Sequence, residues 1–310
     1  MRFCTFGLSL LLLLPSLARA QREILWRDDP QAAVAESQRT LKPLMVYVLS
    51  RTGDRDDRLD QMQFRALQDP RVVRLSERFV PLRLQRGQHR DALREFHLSE
   101  SANQMMSFVT PEGDRLDFLE PTRVAEADAL VQKLTAVLAT YADRLFDTRI
   151  RATLENAEAK AAEISAALRL VIEWRVTKAT RAVAALLDRE RLDPGVRKAA
   201  IDALAALSTR DAAMKLLELA RADDKAAALA LERLTPPTAE LLLAELKPEA
   251  EQFDHTLYRA LAKIARLRDV RPAAWFEKRT VRERQQEVER LEKALAEAAR
   301  RWRTENDAGR

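Results

Sequence analysis

Apolar residues are distributed in three different ways along the chain. The first is a block. Phe6 to Leu14 is an almost unbroken apolar run behind Arg2, and it ends ahead of Ala18-Arg19-Ala20. A run this short falls below the roughly 20 residues that span a bilayer. Its small-x-small ending fits a secretory signal peptide of residues 1–20. Cleavage is expected near Ala20, leaving Gln21 at the N-terminus of a periplasmic or secreted protein; an uncleaved anchor is the competing reading. No later segment is apolar for long enough to span a membrane.

The second pattern, from Trp26 to Leu119, alternates helical and strand-like pieces. Asp29-Pro30 reads as an N-cap with a first-turn proline, opening a helix to about Thr40 that Lys42-Pro43 stops. Leu44 to Leu49 is apolar at every position, which predicts a strand buried on both faces. A polar loop from Ser50 to Asp57 leads to a helix with Leu59, Met62, Phe64 and Leu67. A short helix follows Asp69-Pro70, then a strand over Phe79 to Leu84, then a helix near Asp91 to His97. Met105 to Thr110 and Leu116 to Leu119 form a hairpin about the turn at Pro111 to Asp114.

The third pattern begins near Thr122, where the sequence turns to Ala, Leu, Arg and Glu and helix follows helix. A helix over Arg123 to Ala142 closes the first domain. Ala200, Ala203, Leu204 and Leu207 form one apolar stripe, and a shift of 27 lands on Ala227, Ala230, Leu231 and Leu234. Leu186-Leu187, Leu216-Leu217 and Leu242-Leu243 recur at 30 and 26 residues, and Leu261, Ile264 and Leu267 mark a weaker unit. Such periods predict stacked helical pairs, about four of them. From Arg282 to Glu305 a charged helix carries Val288, Leu291, Leu295, Ala298 and Trp302, a narrow stripe for one partner helix. It either caps the last pair or docks a partner.

Charge and chemistry change this picture little. Without Arg2 and Arg19 the mature chain has 51 basic residues against 48 acidic ones, too even a balance to predict nucleic-acid binding. Six scattered glycines make no phosphate loop, and no Gly-x-Ser-x-Gly elbow occurs. His89, His97 and His255 lack zinc spacing, so no metal or other cofactor is expected. The only cysteine, Cys4, lies in the signal segment.

Trp26, the Ala-rich helix, Lys42-Pro43, the Leu44–Leu49 strand, Met62, Asp69-Pro70, Phe79-Val80-Pro81 and Phe108 to Gly113 together resemble exported thioredoxin-like proteins over about 95 residues. The resemblance implies an α/β thioredoxin-like domain (α-β-α-β-α-β-β-α) over residues 21–145. Asp193 to Leu207 is similar to the opening helix of HEAT-like repeats, implying an all-α solenoid over residues 150–278 and a charged C-terminal helix over 279–310. Against the thioredoxin pattern the two cysteines fall on Asp56 and Leu59, and the cis-proline falls near Gln104. Thiol exchange needs a thiolate, so the resemblance implies a fold kept without its redox chemistry. The former active-site edge, Asp56, Asp57, Arg58, Leu59 and Gln104, becomes a candidate protein-binding surface. The function expected is a non-catalytic adaptor or scaffold. Rival readings are an envelope chaperone with broad clients and an enzyme using carboxylates that spacing does not reveal.

Overall fold

The computed structural model describes residues 23–49, 57–85, 87–96, 98–99 and 105–307. Asp29 caps α1 (Pro30–Thr40), its Oδ1 accepting from the amides of Gln31 and Ala32, while Pro30 needs no acceptor at the first helical position. The chain reverses at Leu41 in the left-handed region and enters β1 (Leu44–Leu49), whose first five residues are buried. Helices α2 (Asp57–Leu67) and α3 (Pro70–Ser76) carry the chain across to β2 (Val80–Gln85), which is why β1 and β2 pair in parallel. After α4 (Arg90–Glu95) come β3 (Met106–Val109) and β4 (Arg115–Leu119), an antiparallel hairpin turning at Gly113, where φ is +96°. The mixed sheet has the order β2-β1-β3-β4.

Alternation along the strands divides the core in two. Leu44, Val46, Val48, Leu82 and Leu84 point to one face and pack with Ala33 of α1 and with Leu93 and Phe96. Met45, Tyr47, Met106 and Phe108 point to the other, where Val72 and Val73 of α3 and the apolar side of α6 (Ala127–Leu145) meet them. The helix expected from Arg123 is interrupted: α5 (Pro121–Val124) is a separate turn, and Glu126 lies in extended conformation before α6 begins.

No linker follows α6. Residues Phe146–Ile150 form a π-helical turn that runs straight into α7 (Arg151–Glu155), so the boundary expected at 145–150 lies inside one helical run. Along α6 the buried positions include Leu134, Leu138, Tyr141 and Leu145. Beyond it they are Phe146, Ile150 and Leu154, one residue later than a regular helix would place them. The same hydrophobic core therefore continues from the sheet into the helices. Tyr141 donates to the carbonyl of Leu41 at 2.8 Å, and its ring meets Trp174 edge-on at 5.1 Å.

The remaining helices build two layers. Helices α8 (Ala161–Trp174), α10 (Pro194–Leu207), α12 (Lys225–Leu231) and α14 (His255–Ile264) pack in succession. Beside them run α7, α9 (Thr180–Leu186), α11 (Arg210–Arg221) and α13 (Pro236–Leu241). Both stripes expected from the 27-residue shift are buried between the layers, as are Leu186, Leu187, Leu216, Leu217 and Leu242. Side chains repeat their contacts at this period. Arg197 meets Asp224, Lys215 meets Asp188, Arg233 meets Asp202, Lys263 meets Glu232 and Arg221 meets Asp254, over 27 to 33 residues. Two of these carboxylates do double duty: Asp224 also caps α12, and Asp254 also caps α14.

After the short α15 (Ala273–Glu277), α16 (Val281–Asp307) folds back over α13 and α14. Val288, Leu291, Leu295 and Ala298 are buried there, and Trp302 is half-buried. The choice left open by the sequence thus falls to the cap, because the chain itself covers the stripe. Tyr258 and Glu287 fasten it, the tyrosine hydroxyl donating to the carboxylate at 2.8 Å.

Candidate functional site

The described part of the candidate edge is the first turn of α2, the helix that follows β1. Asp56 and Gln104 fall outside the described residues. Asp57 opens α2, although its side chain is not among those described; Arg58 is exposed and Leu59 half-buried in the same first turn. The carbonyl of Met105, the residue after Gln104, accepts from the amide of Val48 at 3.0 Å. Two of the five expected positions, Arg58 and Leu59, therefore have described side chains, and the residue after a third bonds to β1 near its end.

The helix does not bury the face its apolar residues suggest. Met62 is 44% exposed and Phe64 62%, whereas Gln63 is fully buried with Ala66. Gln63 is held from both sides. Its Oε1 accepts from the hydroxyl of Tyr47 at 2.6 Å, and its Nε2 donates to the carbonyl of Pro121 at 2.7 Å. One side chain thus ties α2 to the centre of β1 and to the start of α5. Burial pushes the Tyr47 phenol up to about 12, with the charge of Asp60 adding to the effect. The phenol is therefore a neutral donor near neutral pH. Trp26 covers the same ring at 5.7 Å. The sequence carried one signal for this pair: Gln63 lies four residues after Leu59 and three before Ala66, a polar residue on the inward stripe.

The other groups with catalytic potential are engaged elsewhere. His89 Nδ1 accepts from the amide of Gln85 at 3.1 Å, and His255 Nε2 faces the carbonyl of Arg271 at 3.0 Å. His97 lies outside the described residues. Among those described, no three metal-binding side chains cluster, and no helix is long and apolar enough to cross a membrane. Among the described residues, the carboxylates that are shifted are shifted down. The Arg71 hydrogen bond holds Asp69 below the usual range. At Glu112 burial pulls the carboxyl up, but hydrogen bonds from Arg149, its own amide and Thr110, with the Arg149 charge, together hold it below its ordinary value. A general acid needs the opposite environment.

Two clefts remain. One, of about 360 Å³, lies between α7 and α9 and has Leu154, Ala182 and Leu186 in its lining with Glu155, Arg181 and Arg189. Arg189 is already used, donating to the carbonyls of Leu154 and Asn156. The other, of about 290 Å³, lies where residues 25–27 meet β2. Its Glu36 is paired with Arg27 at 2.7 Å, and its Lys42 donates to the carbonyl of Glu77 at 2.8 Å. Neither cleft holds a pair of carboxylates free of cations. In comparisons with known proteins, no protein family, no curated protein and no solved structure matches this chain.

Proposed function

We propose that this is an exported, non-catalytic protein-binding adaptor, built from a redox-dead thioredoxin-like domain (residues 21–145), a HEAT-like helical solenoid (150–278) and a C-terminal capping helix. The observation that carries the reading is Leu59. It stands in the first turn of the helix that follows the central strand, at the position of the second reactive cysteine in the thioredoxin pattern. The sheet supports the same reading: a parallel pair joined across helices, an antiparallel hairpin added at β1, and helices on both faces. So does the residue before β3, which meets the end of β1 where such folds hold extended polypeptides. The two-layered helical pairs offer a second extended surface, the common use of such architectures.

Crosslinking in intact cells followed by mass spectrometry tests this. One dominant partner is expected, and its recovery should fall when Asp56, Asp57 and Arg58 are replaced by Ala. Undiminished recovery from that variant would remove the edge from the proposal. The exposed Met62 and Phe64 favour a second reading, an envelope chaperone that holds apolar segments of many clients. That reading predicts many weak crosslinks and suppressed aggregation of unrelated unfolded proteins.

A further inference from the structure

The even charge of the whole chain conceals uneven stretches, and one of them forms a corner at the C-terminal end of the helical pairs. Residues 265–284, from the end of α14 through α15 into α16, hold seven basic residues against three acidic ones, a balance of +4 in a chain whose total is +5. Three of the cations are used in building the corner. Arg271 pairs with Asp269 at 2.8 Å and Arg279 with Glu283 at 3.0 Å, while Arg284 donates to the carbonyls of Phe276 and Ala250. The other four, Arg266, Arg268, Lys278 and Arg282, are exposed and have no ion pair among the described residues.

The segments that carry these four are packed together. Phe276 is buried, its ring stacked on Phe253 at 4.1 Å, which anchors α15 to the core. Arg290 of α16 donates to the carbonyl of Asp269, and the Arg271 guanidinium lies over Trp275, so the turn after α14 and the α15–α16 corner are bound together. Apolar side chains stand among the cations. Val270 and Val281 are two of the few large hydrophobic residues the protein exposes.

We propose that this corner binds the surface of an anionic lipid bilayer. Fixed cations interleaved with exposed aliphatic groups match a surface of phosphates over an apolar layer. A nucleic acid fits less well. Single strands are held by stacking bases on open aromatic faces, and the one accessible ring here, Trp275, already carries the guanidinium groups of Arg271 and Arg279 at 5.6 and 5.3 Å.

The test is cosedimentation of the full chain with vesicles of phosphatidylglycerol and phosphatidylcholine (3:7) against pure phosphatidylcholine, with Arg266→Glu/Arg268→Glu/Lys278→Glu/Arg282→Glu as the variant. Comparing the two proteins cancels any contribution from the N-terminal apolar run. Wild type should prefer the anionic vesicles, and the variant should lose at least about tenfold in partitioning, with an unchanged melting curve. Should the variant fail to fold, Val270→Ser/Val281→Ser takes its place and should weaken vesicle binding. Equal partitioning of wild type and variant overturns the proposal. A wild type that binds polyglutamate or DNA yet shows no preference for anionic over neutral vesicles would assign the corner to an acidic polymer instead, and also overturns it.

Discussion

Arg197 on α10 reaches 27 residues forward to the Oδ2 atom of Asp224 at 2.7 Å, while Oδ1 of the same carboxylate caps the next helix. One side chain thereby starts a helix and fastens it to its predecessor. Replacing Asp224 by Ala should cost about 1–2 kcal/mol, a cap of about 1 kcal/mol plus a modest share for a partly exposed ion pair. Asp224→Asn keeps a capping oxygen and should cost less. Urea unfolding of the two variants separates the contributions, and equal losses would mean that the cap is unimportant.

Acid should act through the same group. At Asp224 burial raises the carboxyl, but the Arg197 hydrogen bond and the amides of Ala227 and Ala226 hold it below its ordinary value; at Asp69 the Arg71 hydrogen bond does so. A depressed folded pKa stabilises above the unfolded value, about 3.9, and the contribution is lost as pH falls through the folded one. The urea midpoint should therefore stay level from pH 7 to about 5 on account of these groups and fall below about 4. Asp69→Asn/Asp224→Asn should flatten that fall.

The Tyr47–Gln63 pair offers a cleaner cycle. Gln63→Ala leaves a buried phenol and the carbonyl of Pro121 without partners, at a cost of about 1–3 kcal/mol. Tyr47→Phe/Gln63→Leu removes the hydroxyl along with its acceptor and should recover part of that loss. If the single changes simply add, the two groups do not interact.

Arg175 ends α8 in the left-handed region, at φ 49° and ψ 51°. It also lies close enough to Arg78 to lower that residue's pKa, after burial the largest cause. Arg175→Gly should raise stability by up to about 1 kcal/mol, since glycine takes this conformation without strain and carries no charge. A lower melting temperature would show that the arginine stem contributes packing worth more than its strain.

Those features that depend on neighbours within a few residues were legible in the sequence. Six consecutive apolar residues from Leu44 carried the mark of a strand covered on both sides, and Asp29-Pro30 that of a helix start. The stripes at Ala200 and Ala227 carried the stacked pairs. Distant partners were not legible. Gln63 is buried because Tyr47 stands beneath it, sixteen residues back in the chain, and that contact turns Met62 and Phe64 outward against their apolar character. For the same reason the candidate edge was legible as a gap in a pattern, at Leu59, but its supporting pair was missed. The ion-pair ladder was hidden too, since its members recur every 27 to 33 residues among many other charges.

The single π-turn after Leu145 has a wider meaning. An extra residue rotates everything beyond it by about 100° around the helix axis, so one rod can lay its first half on the sheet and its second half on the helical pairs. It works as a gearbox between two packing registers. Sheet and helices are then not beads on a string: a bend at this joint would have to unpack both at once.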